Sequence, residues 1–432
     1  MNKKTAVVVS LGCSKNLLDS EQLLFQLQAA GFRVLHNARP PRGSVVIVNT
    51  CGFIQDAKEE SIETILEYGQ ARQQGLISKL FVMGCLSQRY AEELKQEIPE
   101  VDGFYGKFDF QDILPALGFE WQDSQRTQRI LTTPGHYAYI KVSEGCNRRC
   151  AFCAIPLITG PHRSRPMEDI LQEVQQLTAR GVKEFQIIAQ DLSYYGKDLY
   201  GDYRLPELID RMAGLEGVEW IRLHYTYPFH FPYDILRVMR ERPNVCHYLD
   251  MAFQHCSDPM LEKMHRHING AETEALIARI REEVPDIHLR TTLMVGHPGE
   301  TEADFAALME FTRRMRFERM GAFAYSAEEG TWSGDRYADD VPADVKQQRL
   351  DRLMELQRQI SEELNAAKLG RVFRTIIDRE EADAYIGRTQ FDSPEVDPEI
   401  LIPKTRPLKI GEFYEVRITA AGDYDLEGEV IS

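Results

Sequence analysis

The 432-residue chain predicts an α/β protein of three parts: an N-terminal domain on a parallel sheet, a central partial (β/α)6 barrel, and a small all-β barrel at the C-terminus. Three observations carry this. The chain is too long for one ordinary core. From residue 4 to about 330, short β-branched runs alternate with amphipathic stretches, the order that gives parallel strands. After a charged helix the rhythm changes to short strands broken by Gly, Pro and Asp. The expected domains are 4–120, 132–365 and 368–432.

In the first segment Thr5–Ser10 is a buried-strand run, followed by a helix over Ser20–Ala30 with Leu23, Leu24 and Leu27 on one face and Gly31 as its stop. Ser44–Asn49 and Lys79–Met83 are two more strands, with helices from Asp56 to Gln74 and from Ala91 onward. Residues 120–135 are polar, end in Thr133-Pro134-Gly135 and read as a linker. Six strands are then expected at Tyr137–Val142, Glu184–Ala189, Trp220–Tyr225, Tyr248–Phe253, Leu289–Val295 and Gly321–Tyr325. Amphipathic helices such as Met167–Ala179 and Thr301–Arg314 lie between them, and chemistry in such barrels gathers at strand C-terminal ends. A charged helix, Ala343–Lys368, leads into strands around Thr375–Ile377, Ala384–Ile386, Glu399–Ile402 and Glu412–Ile418.

Composition is that of a globular protein, 43% apolar and 27% charged. The N-terminus runs straight into a strand-length apolar run, too short for a signal peptide, and no stretch is long enough to cross a bilayer; a cytoplasmic protein is expected. A net charge of −16 disfavours a surface built to grip RNA, so direct RNA binding is not expected.

Two groups of three cysteines stand out among the eight. Cys146, Cys150 and Cys153 form a CxxxCxxC just after the first barrel strand. Three thiolates leave one iron of a cubane cluster open, whereas a structural zinc site needs four ligands. Zinc is the competing reading, with His162 the nearest further candidate. Cys13, Cys51 and Cys85 are separated by thirty-eight and thirty-four residues, yet each follows one of the three N-terminal strands. In a parallel sheet those ends share a rim, so three thiols can meet there; the competing reading is three small buried hydrophobes. Gly12, Gly52 and Gly84 flank them and let backbone approach a bulky group. Cys246 and Cys256 read as reduced core thiols, His265 and His267 as members of a solvated helical stretch. Arg148, Arg149, Arg163 and Arg165 are placed either to approach an anionic ligand or simply to be solvated.

With both trios placed, the chain resembles the radical S-adenosylmethionine methylthiotransferases over its full length. Cys13, Cys51 and Cys85 match that family's N-terminal cluster ligands, and Cys146, Cys150 and Cys153 its radical-cluster ligands, with Phe152 the aromatic before the last. The C-terminal segment resembles a TRAM domain. The run Ser10–Glu21 (with Cys13, Asn16 and Asp19), Ala189-Gln190-Asp191 and the run Arg388–Asp397 resemble the branch that modifies an aspartate of small-subunit ribosomal protein twelve, not tRNA. Ala252, where the family commonly has proline, and Pro398, where it often has glycine, depart from the pattern in loops.

The resemblance implies two 4Fe-4S clusters, S-adenosyl-L-methionine as cosubstrate, and an electron donor such as a flavodoxin or ferredoxin system. One cluster makes a 5′-deoxyadenosyl radical that takes hydrogen from the aspartate β-carbon; the other presents the sulfur that becomes the methylthio group. Such a C–H bond lies beyond side-chain acid–base chemistry. Gln190, Asp191, Gly296 and Glu300 are candidates for lining the cosubstrate pocket, beside the reading of ordinary strand-to-helix turns. Two rivals stand beside this: a tRNA adenosine methylthiotransferase and a non-catalytic two-cluster electron carrier. From Lys368 to Ser432 nine basic residues face fourteen acidic ones, a net of −5, which suits a basic protein partner better than tRNA.

Overall fold

The computed structural model describes residues 4–431; Met1–Lys3 and Ser432, the last residue of the third expected domain, lie outside the described residues. The N-terminal sheet has five parallel strands, β1 (Thr5–Ser10), β2 (Arg33–His36), β3 (Val45–Thr50), β4 (Lys79–Gly84) and β5 (Gly103–Phe104), in the order β2-β1-β3-β4-β5. β3 is buried along all six residues, as an unbroken Val-Val-Ile-Val run in a sheet covered on both faces should be. Val8, Ile47 and Phe81 pack on Leu23, Leu24 and Leu27 on one face; Val7, Val46 and Val82 pack on Ile65 and Leu94 on the other. The short edge strands β2 and β5 carry too few apolar residues to stand out in the sequence. The first helix starts at Ser14, not Ser20, directly on Cys13.

The central sheet is the six-stranded open barrel. After β6 (Tyr137–Lys141) comes a ribbon of β7 (Ser143–Glu144) and β8 (Arg163–Ser164) around the CxxxCxxC loop. β9 (Glu184–Ile188), β10 (Trp220–Thr226), β11 (Val245–Met251), β12 (His288–Val295) and β13 (Arg319–Ala324) complete it, in parallel order β13-β12-β11-β10-β9-β6. Outward residues such as Ile140, Phe185, Leu223 and Leu249 join the helices in the largest core. The alternating inward residues are polar: His224 bonds Gln186 at 2.8 Å, and Tyr139, Tyr248, Asp250 and Arg290 share that interior. Cys246 lies within β11, fully buried beside Trp220 and Tyr248. His265 and His267 sit in a loop with left-handed backbone, not in a helix. No helix among the described residues is long and apolar enough to cross a membrane.

Five C-terminal strands close a barrel in the order β14-β15-β16-β18-β17: β14 (Val372–Glu380), β15 (Ala384–Thr389), β16 (Ile400–Pro403), β17 (Phe413–Ala421) and β18 (Leu426–Val430). The segment after β15 stops the N-terminal mouth of the central barrel. Glu395, at φ +70°, accepts from the Tyr137 and Tyr139 hydroxyls at 2.9 and 3.0 Å, and Asp397 from the Tyr248 hydroxyl at 2.8 Å. Fully buried Glu184 accepts from Arg222 at 3.0 Å and Arg388 at 2.7 Å. Part of this domain's acidity is thus turned inward: Asp392 and Asp397 pair with Arg319 and Arg290 of the barrel, and Glu395 takes the two tyrosine hydroxyls.

The stretch expected as a linker is pinned. Arg129 is buried, donates to Glu173 at 2.8 Å and pairs with Glu21, while Thr132 donates its N–H and hydroxyl to Glu21 at 2.6 and 2.9 Å. Removing one partner of a buried charge cluster leaves the others unpaired, so Glu184→Ala is expected to lower stability by about 3–5 kcal/mol. Urea unfolding followed by tryptophan fluorescence checks this, with the exposed Glu429→Ala as a control that leaves the midpoint in place.

Candidate functional site

Cys13, Cys51 and Cys85 sit at the carboxyl ends of β1, β3 and β4, three adjacent strands. The rim is close-packed: Gly12 has φ +86°, and a Cβ there would come within 2.8 Å of the Cys51 Cβ. Asn16 ties the rim together, donating to the Thr50 carbonyl at 2.9 Å while its Oδ1 lies 3.4 Å from the Cys85 sulfur. Burial raises the Cys51 thiol and pushes Cys85 up to about 12, against the attraction of Lys107. At Cys13 desolvation also raises the pKa. Lys15, Lys107 and the backbone N–H groups of Asn16 and Lys15 outweigh it, so Cys13 is the thiol held low. It caps the first helix with no side-chain hydrogen bond to an N–H.

The second trio lies in the loop between β7 and the helix Ile155–Thr159. Ala151 at its centre is clamped, its N–H on the Met264 carbonyl at 3.0 Å and its carbonyl on the Ser333 N–H at 2.7 Å. Phe152 packs against Met264, Met294 and Tyr325. Arg266 donates to the Cys150 sulfur at 3.2 Å, the Tyr227 hydroxyl lies 3.5 Å from the same atom, and the Arg148 N–H reaches Cys146 at 3.5 Å. Burial raises Cys153 and pushes Cys146 up to about 12, the latter helped by the Asp191 charge. All eight cysteines are free.

Each trio fits a polynuclear group better than a lone ion. No set of His, Cys, Asp or Glu among the described residues closes tightly enough to chelate one metal ion. Thiols that each bind a different iron stand farther apart than ligands of one ion. Buried thiols with raised pKa values need a cationic centre to hold them as thiolates, which bound iron supplies.

Among the described residues, the buried polar atoms without a protein partner include Arg148 Nη2, Gln190 Oε1, Asp191 Oδ1, Gln254 Oε1 and Arg266 Nε. They offer donors and acceptors to a polar cosubstrate. Gln190 and Asp191 lie beside the β7 loop, Asp191 held by Arg148 at 2.6 Å and Gln190 bonded to Glu144. Gly296, at φ +72°, donates its N–H to Glu300 at 2.7 Å; Glu300 also accepts from Arg349 at 2.6 Å and meets His255 at 3.2 Å. The Glu300 carboxylate is thus engaged within the protein, bracing the Gly296 turn. Of the loop arginines, Arg148 is buried over the Tyr227 ring at 4.3 Å, Arg165 pairs with Glu173 at 2.7 Å, Arg163 covers Phe108 and Arg149 is exposed.

The two trios meet along one seam. Leu18 of the first helix packs on Tyr137, Tyr139 and Ile188, laying that helix against the barrel interior. Lys107, next to the first trio, donates to Asp19 at 2.8 Å and faces Glu144 at 3.6 Å; Lys141 donates to Asp19 at 2.5 Å and Glu144 at 2.9 Å. Burial alone would raise the Glu144 carboxyl, but the two ammonium groups bring it down to about 2. Glu144 stands two residues before Cys146, so the network runs from one trio to the other. Lys107, Arg266 and Tyr227 carried no motif in the sequence, and Asp19 lay in one with no role assigned to it.

Comparison with known proteins agrees with this geometry. The radical SAM superfamily profile matches residues 140–312, the TRAM domain 369–431, and the uncharacterized protein family UPF0004 residues 5–106. Among solved structures the chain is similar to the radical S-adenosylmethionine methyltransferase TsrM of Kitasatospora setae, at TM-score 0.57 and 15% identity over 77% of each chain. It is also similar to the cobalamin-dependent radical enzyme OxsB, at TM-score 0.54 and 11% identity over 83% of this chain and 56% of that one. These two share the fold. The relative from Phocaeicola vulgatus is 60% identical, that from Parabacteroides distasonis 58%, each over 100% of both chains. The relative from Flavobacterium johnsoniae is 49% identical over 99% of this chain and 98% of its own. All three bear the name ribosomal protein uS12 methylthiotransferase RimO, and at this identity over the whole length the chain belongs to that family.

Proposed function

We propose that this protein transfers a methylthio group to the β-carbon of an aspartate in ribosomal protein uS12, with S-adenosyl-L-methionine as cosubstrate and a 4Fe-4S cluster on each cysteine trio. The observation that carries the reading is the pairing of two three-cysteine sites, each one ligand short of four, across a single interdomain seam. Bound there, the clusters supply an electron to open S-adenosylmethionine to a 5′-deoxyadenosyl radical at Cys146, Cys150 and Cys153, and a sulfur-presenting iron at Cys13, Cys51 and Cys85.

The chain's own residues do the rest. Arg266 and Tyr227 hold Cys150 in place and put positive charge beside a thiolate. Arg148, Gln190, Asp191 and Gln254 present their free polar atoms as the lining for the cosubstrate. The Lys107–Asp19–Lys141–Glu144 cluster fixes how far one trio stands from the other. The first helix above and the Glu395–Asp397 stop below cover the barrel interior, which keeps water from a reactive intermediate. A flavodoxin or ferredoxin system is the expected electron source, and the reduced thiols suit a cytoplasmic setting.

Mass spectrometry of uS12 and of tRNA nucleosides, from cells with and without the protein, tests the function. Loss of methylthiolated uS12 aspartate with unchanged tRNA is expected; loss from tRNA alone would support the tRNA reading. For the first site, Cys150→Ala is expected to stop 5′-deoxyadenosine formation while the reconstituted protein keeps about half its iron, as one of two clusters leaves. For the second, Cys51→Ala should still form 5′-deoxyadenosine yet yield no methylthiolated product, and product from this variant rules out sulfur delivery there.

A further inference from the structure

Among the described residues, every buried arginine and every buried lysine but one donates to an oxygen or a sulfur. Lys107, Lys346 and Lys368 are buried lysines, and each has its acceptor. The exception is Lys15, 8% exposed, with no hydrogen bond and no carboxylate within 4 Å. Asp250 feels its charge but lies beyond ion-pair range. The Lys15 stem is buried while its nitrogen is not among the sealed-in polar atoms, so the ammonium keeps open donors that a ligand can fill.

Among the described residues the ammonium lies against an aromatic ring, and its charge also reaches the Cys13 thiol. Its nitrogen stands 3.5 Å from the centroid of Tyr225, a contact that tolerates a cation without neutralising it. Tyr225 is placed there by irregular backbone: β10 slips register against β11 between Leu223 and Thr226, and Tyr225 sits at φ +59°. A bulky residue held in that region marks a position set by something other than strand pairing. The ring is 41% exposed, so the Lys15–Tyr225 pair opens onto accessible space at the C-terminal end of β10. Lys15 lies two residues after Cys13, the exposed member of the sulfur-side trio.

We propose that the Lys15 ammonium receives the side-chain carboxylate of the target aspartate and thereby selects a carboxylate substrate. This rests on the uS12 reading above. In aspartate the β-carbon is bonded directly to the carboxylate carbon. Anchoring the carboxylate at Lys15 therefore holds the reacting carbon one bond away, on the side of the seam where Cys13 presents sulfur. A neutral base edge has no charge to offer this lysine, which gives the site a physical ground for taking a protein aspartate over a nucleoside.

The test uses the cluster-loaded full-length enzyme as wild type, Lys15→Met and Lys15→Arg. The probes are full-length uS12 and its variant carrying asparagine at the target position, with affinities measured without reductant. Wild type should prefer the aspartate protein by roughly 10- to 100-fold, the loss expected for a charged hydrogen bond left unmade. Lys15→Met should bind both probes alike, near the asparagine level, and Lys15→Arg should keep most of the preference. Iron content and S-adenosylmethionine affinity of Lys15→Met should match wild type. Retained preference in Lys15→Met overturns the proposal. So does loss of iron, which would make Lys15 a support for the Cys13 thiolate, or loss of S-adenosylmethionine affinity, which would assign it to the cosubstrate's own carboxylate. Failure of the underlying reading looks different: uS12 would carry no modification in cells that contain the wild-type protein.

Discussion

Two cysteine trios on separate domains can act on one substrate only if the domains are held in fixed register, and four buried charges set that register. Asp19 and Lys107 come from the N-terminal domain, Lys141 and Glu144 from the first barrel strand and the ribbon after it. Burying four charges carries a large desolvation penalty, which alternating signs and short hydrogen bonds offset. Packing well-matched apolar residues in their place can be as stable, but apolar surfaces slide and repack more readily than charges do. The network also lies between the trios, so a shift of the seam moves both ends of the chemistry together.

The C-terminal barrel secures the same arrangement from the opposite mouth. Its Arg388 pairs with Glu184, its Asp397 and Asp392 with Arg290 and Arg319, and Arg222 donates to its Thr389 and Gln390 carbonyls, all toward the amino ends of the strands. The barrel interior, polar along Gln186, His224 and Asp250, is thereby stopped at one end and covered by the first helix at the other. Burial raises the Asp250 carboxyl to about 6, a sign of how dry that interior is.

The two cysteine trios were legible in the sequence because each cysteine is set by local geometry: a tight loop, or the residue just past a strand. The three-part architecture was legible for the same reason, through periodicity. What escaped notice is non-local. Lys107 meets a partner eighty-eight residues away and Arg266 donates to a sulfur one hundred and sixteen residues away, spacings that no window over the sequence joins. The first helix was expected to begin six residues late, and the turns it gains bring in Lys15, Asn16 and Asp19, polar residues that are buried. Acidity in the C-terminal domain was countable, yet its direction was not, since Glu395 and Asp397 face inward. Gln190 and Asp191 carried a motif that pointed to the cosubstrate side, while Glu300, read the same way, is saturated by its neighbours.

Cys13 gives one sulfur two employments. It is the residue on which the first helix starts, and its sulfur is approached by that helix's own leading N–H groups. The same helix carries Leu18 and Asp19, which make the seam with the barrel. Whatever binds that sulfur in the folded chain is thus thermodynamically linked to the docking of one domain on the other, because a ligand that favours one conformation stabilises every contact that conformation contains. Maturation of the cofactor and closure of the molecule are, through a single atom, one equilibrium.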